Sequence, residues 1–168
     1  MAKRKKYRLQ VVLERKEEAK KEAAIQLAEA KDYLHKQIEE ETRLKQELER
    51  NRNRRNQEYD AITVGGLSAG FNANQAQQGL NYIKRLDTLA DDLRHQITGQ
   101  QRRVKKAEEE VEEALQVLIQ ASRELQVMEN HKEKWLDKEK REQEKSDQNE
   151  MNEIGNAMYT GEAKIGLH

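Results

Sequence analysis

Apolar and small residues recur along the first third of the chain in steps of mostly three or four: Leu9, Leu13, Lys16, Ala19, Ala23, Leu27, Ala30, Leu34, Ile38, Leu44 and Leu48, with Lys16 as the one charged member. That spacing returns to one side of an α-helix at every turn and draws a narrow seam along it, as in a coiled coil. A second series runs Leu86, Leu89, Leu93, Ile97, Gln100, Val104, Ala107, Val111, Ala114, Leu118, Ala121, Leu125, Met128 and Trp135. Its passage from Leu93 to Val104 is an eleven-residue step, which predicts a local stutter in the supercoil. Away from the seams stand opposite charges four apart, Glu17 with Lys21, Glu39 with Arg43 and Glu41 with Lys45. Each such pair supports a helix by a few tenths of a kcal/mol.

Between the two series lies EYDAITVGGLSAGFNANQ, Glu58 to Gln75, with Gly65, Gly66 and Gly70. Glycine weakens a helix by about 1 kcal/mol and takes a positive φ at little cost. Ser68 and Asn72 add turn chemistry, and Asn72 with Gln75 has capping-box spacing. The segment predicts that one helix ends, the chain reverses and a second helix begins. The expected organisation is a single unit: a helix over about 5–61, a tip over about 62–73, a second helix over about 74–156 and a loose tail, 157–168.

Reversal has a consequence that can be checked within the sequence, because facing positions of an antiparallel pair have a nearly constant sum of residue numbers. Leu48 with Leu89, Leu44 with Leu93, Ala30 with Ala107, Ala23 with Ala114, Ala19 with Leu118 and Leu9 with Met128 all sum to 137. Leu34 with Val104, Leu27 with Val111 and Leu13 with Leu125 sum to 138. One register therefore serves the whole first seam. The same arithmetic leaves the second helix without an intrachain partner after about Trp135. The expected fold is all-α: a long two-helix antiparallel coiled-coil hairpin whose second helix is longer and overhangs.

Composition agrees. Charged residues are 38% of the 168, hydrophobic ones 35% and aromatic ones 4%, too little bulk for a compact globular core. High charge with low hydrophobicity also suits disorder, but the net charge is +0 and proline is absent, which favours paired charges on long helices. There is no cysteine, hence no disulfide framework and no thiol nucleophile. The basic start has no apolar stretch of the secretory type, and no apolar run approaches the roughly 20 residues of a membrane span. These features lead to the expectation of a cytoplasmic protein.

Catalytic chemistry is missing where it would be sought. His35, His95, His131 and His168 are scattered, none with a second His three or four residues on, so no metal site is expected. VGGLSAG has glycines but no Lys-Ser/Thr to cradle a phosphate, and Ser68 has no local base. No cofactor is expected, and the protein is not expected to be an enzyme. The basic cluster KRKKYR, Lys3 to Arg8, is a solvated helix start or a contact for an acidic protein surface. Acidic residues follow closely and no set of interleaved aromatics is present for stacking, which argues against nucleic acid. Tyr82, just past the tip, either packs on Tyr59 or faces a partner. Trp135, at the end of the seam, either caps the open end or completes a contact in a complex. A structural tether or stator that spaces two protein sites would account for such a hairpin.

Three stretches carry a family resemblance. YRLQVVLERKEEAKKEAAIQLAEA resembles the opening of FliJ-type export proteins and of the related YscO-type proteins of virulence secretion systems. SAGFNANQAQQGLNYIKRLDTL is similar to that family's tip and the start of its second helix, and SDQNEMNEIGNAM to its C-terminal stretch. The resemblance covers nearly the whole chain in the right order. It implies a stalk-like coiled coil of a flagellar or virulence type III export apparatus, placed in the cytoplasm at the inner membrane and touching the membrane only through that apparatus. It implies binding and stimulation of the hexameric export ATPase, contact with the cytoplasmic part of the export gate, and escort of export chaperones by some members. Carried over to this chain, the ATPase-facing residues are Tyr7, Arg8, Leu9 and Leu13 with Asp147, Gln148, Met151, Glu153 and Ile154. The gate-facing residues are Tyr82, Leu86 and Leu89. Arg85 and Asp92 depart from the family pattern, which can show hydrophobic or small residues there.

Overall fold

A computed structural model of the chain describes residues 6–65 and 72–165, the last seven as backbone alone. The described residues form two α-helices, α1 (Gln10–Gly65) and α2 (Ala73–Ile165), and no strand. They pack against each other as an antiparallel hairpin. Two compact units can be distinguished, Ala23–Leu118 and Met1–Glu22 with Ile119–His168.

The helix ends follow from local chemistry. Lys6 to Leu9 are not helical; the Gln10 amide donates to the Tyr7 carbonyl at 3.2 Å, and the Leu13 amide to that of Leu9 at 3.0 Å. Basic side chains at a helix N-terminus oppose the helix dipole, so α1 opens at Gln10, after the basic cluster rather than inside it. α2 opens on Asn72 with a complete capping box. The Gln75 amide donates to Asn72 Oδ1 at 3.0 Å, and the Asn72 amide to Gln75 Oε1 at 3.2 Å. Gly65 is the last residue of α1; Gly66, Ser68 and Gly70 lie outside the described residues. α2 continues to Ile165, past the expected end at 156 and over Gly155, beside which there is open space.

In the unit Ala23–Leu118, the seam of α1 is Ala23, Leu27, Ala30, Leu34, Gln37, Glu41, Leu44, Leu48 and Asn51, then Glu58, Ile62 and Gly65, all buried or half-buried. The facing seam of α2 is Gly79, Ile83, Leu86, Ala90, Leu93, Ile97, Gln100, Val104, Ala107, Val111, Ala114 and Leu118. On α2 the steps alternate strictly between four and three, and Leu93 to Val104 is passed in steps of four, three and four, so the expected stutter is not there; on α1 the one longer step, Asn51 to Glu58, is a whole heptad past exposed Arg55. Ala90, 8% exposed, holds the position expected of Leu89, which is 41% exposed. Taking Leu89 as the seam residue breaks the alternation at Ile97; taking Ala90 restores it. On α1 the seam passes through Gln37 instead of the exposed Ile38.

Leu44, Leu93 and Ile97 form the apolar cluster of this unit, with Leu48 packed on them. Leu44 and Leu93 are a pair whose numbers sum to 137, the expected register. Two turns of helix away, Gln100 Nε2 donates to the carbonyl and side-chain oxygens of Gln37 at 2.9 and 2.8 Å, again at a sum of 137. Arg55 bonds Asp87 at 2.6 Å beside Asn51, whose buried side-chain amide has no protein partner. Near the tip the helices approach closely. A Cβ on Gly79 would sit 2.6 Å from Ile62 Cδ1 and 2.9 Å from its Cγ1, so a side chain at 79 would force Ile62 aside.

The hairpin predicts a chemical result. The chain has no cysteine of its own, so Leu27→Cys and Val111→Cys introduced together should cross-link within one molecule. Non-reducing electrophoresis at low protein concentration reads this directly, and dimers alone would point to helices exchanged between chains.

Candidate functional site

The unit containing both chain ends is held by a few named contacts. Leu13 and Leu125 are buried, Lys16 half-buried, and the Lys16 ammonium meets Glu124 Oε2 at 2.6 Å. That hydrogen bond, with a second from Gln120, holds the Glu124 carboxyl below its ordinary range. The pair is well exposed, so it orients α1 more than it stabilises it. Lys132 donates to Gln10 Oε1 at 3.0 Å. Ala19 and Leu9, both expected in the seam, are exposed.

Tyr7 ties the segment before α1 to α2. Its ring is 8% exposed, 5.3 Å from the Trp135 ring and tilted against it by 52°, and its hydroxyl lies 2.7 Å from His131 Nδ1. Trp135 therefore caps this end within the chain, and Tyr7 is the residue it caps against. Offset aromatic pairs of this kind are worth about 0.5–1.5 kcal/mol beyond their burial. Tyr7→Ala should expose the sole tryptophan and shift its fluorescence to longer wavelength, while Tyr7→Phe should lose the His131 bond and keep the stacking. An unshifted spectrum in Tyr7→Ala would detach Trp135 from the N-terminal segment.

The ATPase-facing residues implied by resemblance fall into two groups. Tyr7 and Leu13 are buried within the unit, while Arg8 and Leu9 are exposed at the turn before α1. Asp147, Gln148, Met151, Glu153 and Ile154 lie on α2 and are all exposed. Tyr7 meets α2 at Trp135, twelve residues before Asp147, or about 18 Å along the helix. The fold thus sets the first group beside α2 at Trp135 and the second further along α2, without bringing them into contact. Every described residue from Lys140 to Met158 is exposed. Met158, 68% exposed, belongs with Met151 and Ile154; its signal in the sequence was its place four residues beyond Ile154.

The gate-facing residues divide differently. Leu86 is buried at 5% and occupied by the seam, whereas Tyr82 and Leu89 are both 41% exposed. Seven residues apart, they lie on one flank of α2. Tyr59 is 59% exposed and by its seam position belongs to the other flank, so it does not close the tip against Tyr82. Among the described residues no group of three or more His, Asp or Glu side chains could hold a metal ion, and no helix is long and apolar enough to cross a membrane.

Comparison with known proteins supplies the context. No curated protein matches the chain. Among solved structures, CT670 from Chlamydia trachomatis, a proposed YscO homolog, superposes with a TM-score of 0.77 over 93% of this chain and 96% of its own. At 21% sequence identity that likeness establishes a common fold. The model of the YscO-like protein family matches residues 4–164, from the basic cluster through nearly all of α2. The chain belongs to the YscO-like family and is a protein of type III secretion.

Proposed function

We propose that the protein is a non-enzymatic stalk of a type III export apparatus. In this reading it binds and stimulates the hexameric export ATPase through the unit that carries its chain ends, and contacts the cytoplasmic part of the export gate through α2 just past the tip. The observation that carries the reading is the end of α2. From Lys140 to Met158 the helix is exposed throughout, yet Met151, Ile154 and Met158 are apolar. A solvated helix surface gains nothing from such residues, and a partner protein does. Near the tip, exposed Tyr82 and Leu89 have the same character and are assigned to the gate. Leu86 supports that surface from beneath. The Tyr7 contact holds Arg8 and Leu9 beside α2, so the start of the chain joins the ATPase-facing unit. The protein works in the cytoplasm at the inner membrane and reaches the membrane through the apparatus; export chaperones are further partners.

The test is ATP turnover by the purified cognate hexamer, measured with and without the full chain, together with co-purification. Turnover should rise with added chain and saturate. A hexamer that neither binds the chain nor changes its rate would leave the hairpin as a tether between other components.

A further inference from the structure

The apolar residues at the end of α2 do not continue the hairpin seam. The last seam positions are Met128, Lys132, Trp135 and Glu139. Carried on at the same spacing, the seam would fall on Glu142, Ser146, Asn149, Glu153 and Asn156, all polar or charged. Met151, Ile154 and Met158, spaced three and four apart, form a separate stripe with Asp147. At about 100° per residue the stripe is rotated from the seam by about 150°, roughly two fifths of a turn. It is therefore not a remnant of pairing with α1, and an extension of that pairing would not cover it.

Its surroundings say what does. The side chains of Met151, Ile154 and Met158 are 73%, 55% and 68% exposed. Asp147 lies in the stripe and Glu144 and Glu150 flank it, while Lys145 is the one basic residue between 144 and 158. Glu153 stands on the far side of the helix with the exhausted seam. Carboxylates beside an apolar stripe repel an anionic membrane surface and repel the same stripe on a second copy. They suit basic groups.

We infer that this stripe docks as a single helix into an apolar groove of a protein partner, and that the groove is rimmed by lysine or arginine side chains facing Glu144, Asp147 and Glu150. The recognition mode is a helix in a groove with anchors at 151, 154 and 158. The inference rests on the proposed binding of the export ATPase, whose surface would supply the groove. It narrows the binding residues to the stripe, adds Met158, and removes Gln148 and Glu153 from direct contact.

The experiment measures binding of the full-length chain to the purified cognate ATPase hexamer by calorimetry across a salt series. Three sets of variants are compared: Met151→Ser with Ile154→Ser and Met158→Ser; Glu144→Lys with Asp147→Lys and Glu150→Lys; and Ser146→Ala with Asn149→Ala on the opposite side. The first two sets should weaken Kd by about tenfold or more, as loss of central anchors does. The third should leave it within about twofold, and rising salt should weaken the wild-type chain more than the charge-reversed set. Circular dichroism should be unchanged in all three, because the altered positions are exposed. If the wild-type chain binds and the first two sets bind equally well, the ATPase reading stands and the stripe is not its contact. If the wild-type chain does not bind, the ATPase reading falls and this docking falls with it. Sedimentation equilibrium of the chain alone and flotation with phosphatidylcholine–phosphatidylserine vesicles complete the test. Stripe-dependent self-association or vesicle binding would assign the stripe to a second copy or to lipid and overturn the inference.

Discussion

Leu93→Ala should destabilise the hairpin by about 2–4 kcal/mol, while Leu89→Ala, one turn away, should change stability by less than about 1 kcal/mol. Leu93 is 3% exposed and packs with Leu44 and Ile97, so truncation leaves a cavity and removes a knob from the seam. Leu89 is 41% exposed on the flank and leaves no cavity. At this chain length each kcal/mol shifts the midpoint by about 2–4 °C, so the Leu93 variant should melt roughly 5–15 °C lower. The core is thin, since no described large side chain is completely buried, and a single leucine therefore carries a large share of it. Thermal melts followed by circular dichroism decide the matter. Equal losses at the two positions would place Leu89 in the seam and restore the stutter.

Removing the chain from Asp147 onward should abolish stimulation of the export ATPase and leave the hairpin's thermal transition in place. The seam contacts end at Trp135 and Glu139, and everything from Lys140 to Met158 is exposed, so the deletion removes no described packing. Mean helicity per molecule should fall only by the residues removed. ATP turnover with the truncated chain, measured beside its melting curve, separates the two effects. Full stimulation by the truncated chain would take the end of α2 out of the mechanism.

The two helices, their reversal and their register were legible because they rest on spacing, which survives without any knowledge of contacts. The capping box at Asn72 and Gln75 was legible for a similar reason: both partners are local. What spacing did not separate was Leu89 from Ala90 and Ile38 from Gln37. Leucine is the better hydrophobe, but a helix turns by a set angle per residue, and the seam follows phase before it follows size. Ala90 and Gln37 are in phase. For the candidate sites, spacing was silent on a different point. Tyr7, Leu13, Leu86 and Leu89 all read as apolar or aromatic, and the sequence does not say which of them the fold has already used. Three of the four are buried. Tyr7 was legible only as a basic-aromatic start, because its partners, His131 and Trp135, are more than a hundred residues away.

A zipper whose teeth are all alike closes equally well one tooth out of place. Leucine and alanine repeated every seven residues come close to that condition, since a slip of one repeat still sets apolar against apolar. Gln37 with Gln100 removes the ambiguity: displaced by seven, each amide would face hydrocarbon and lose its bonds. Asn51, buried with no protein partner for its amide, adds a cost and no bond. Leucine there would give a tighter molecule but would take one polar landmark out of the seam. A hairpin that must bring Tyr7 to Trp135 depends on its two helices being aligned in only one way, and it gives up some stability to keep that alignment.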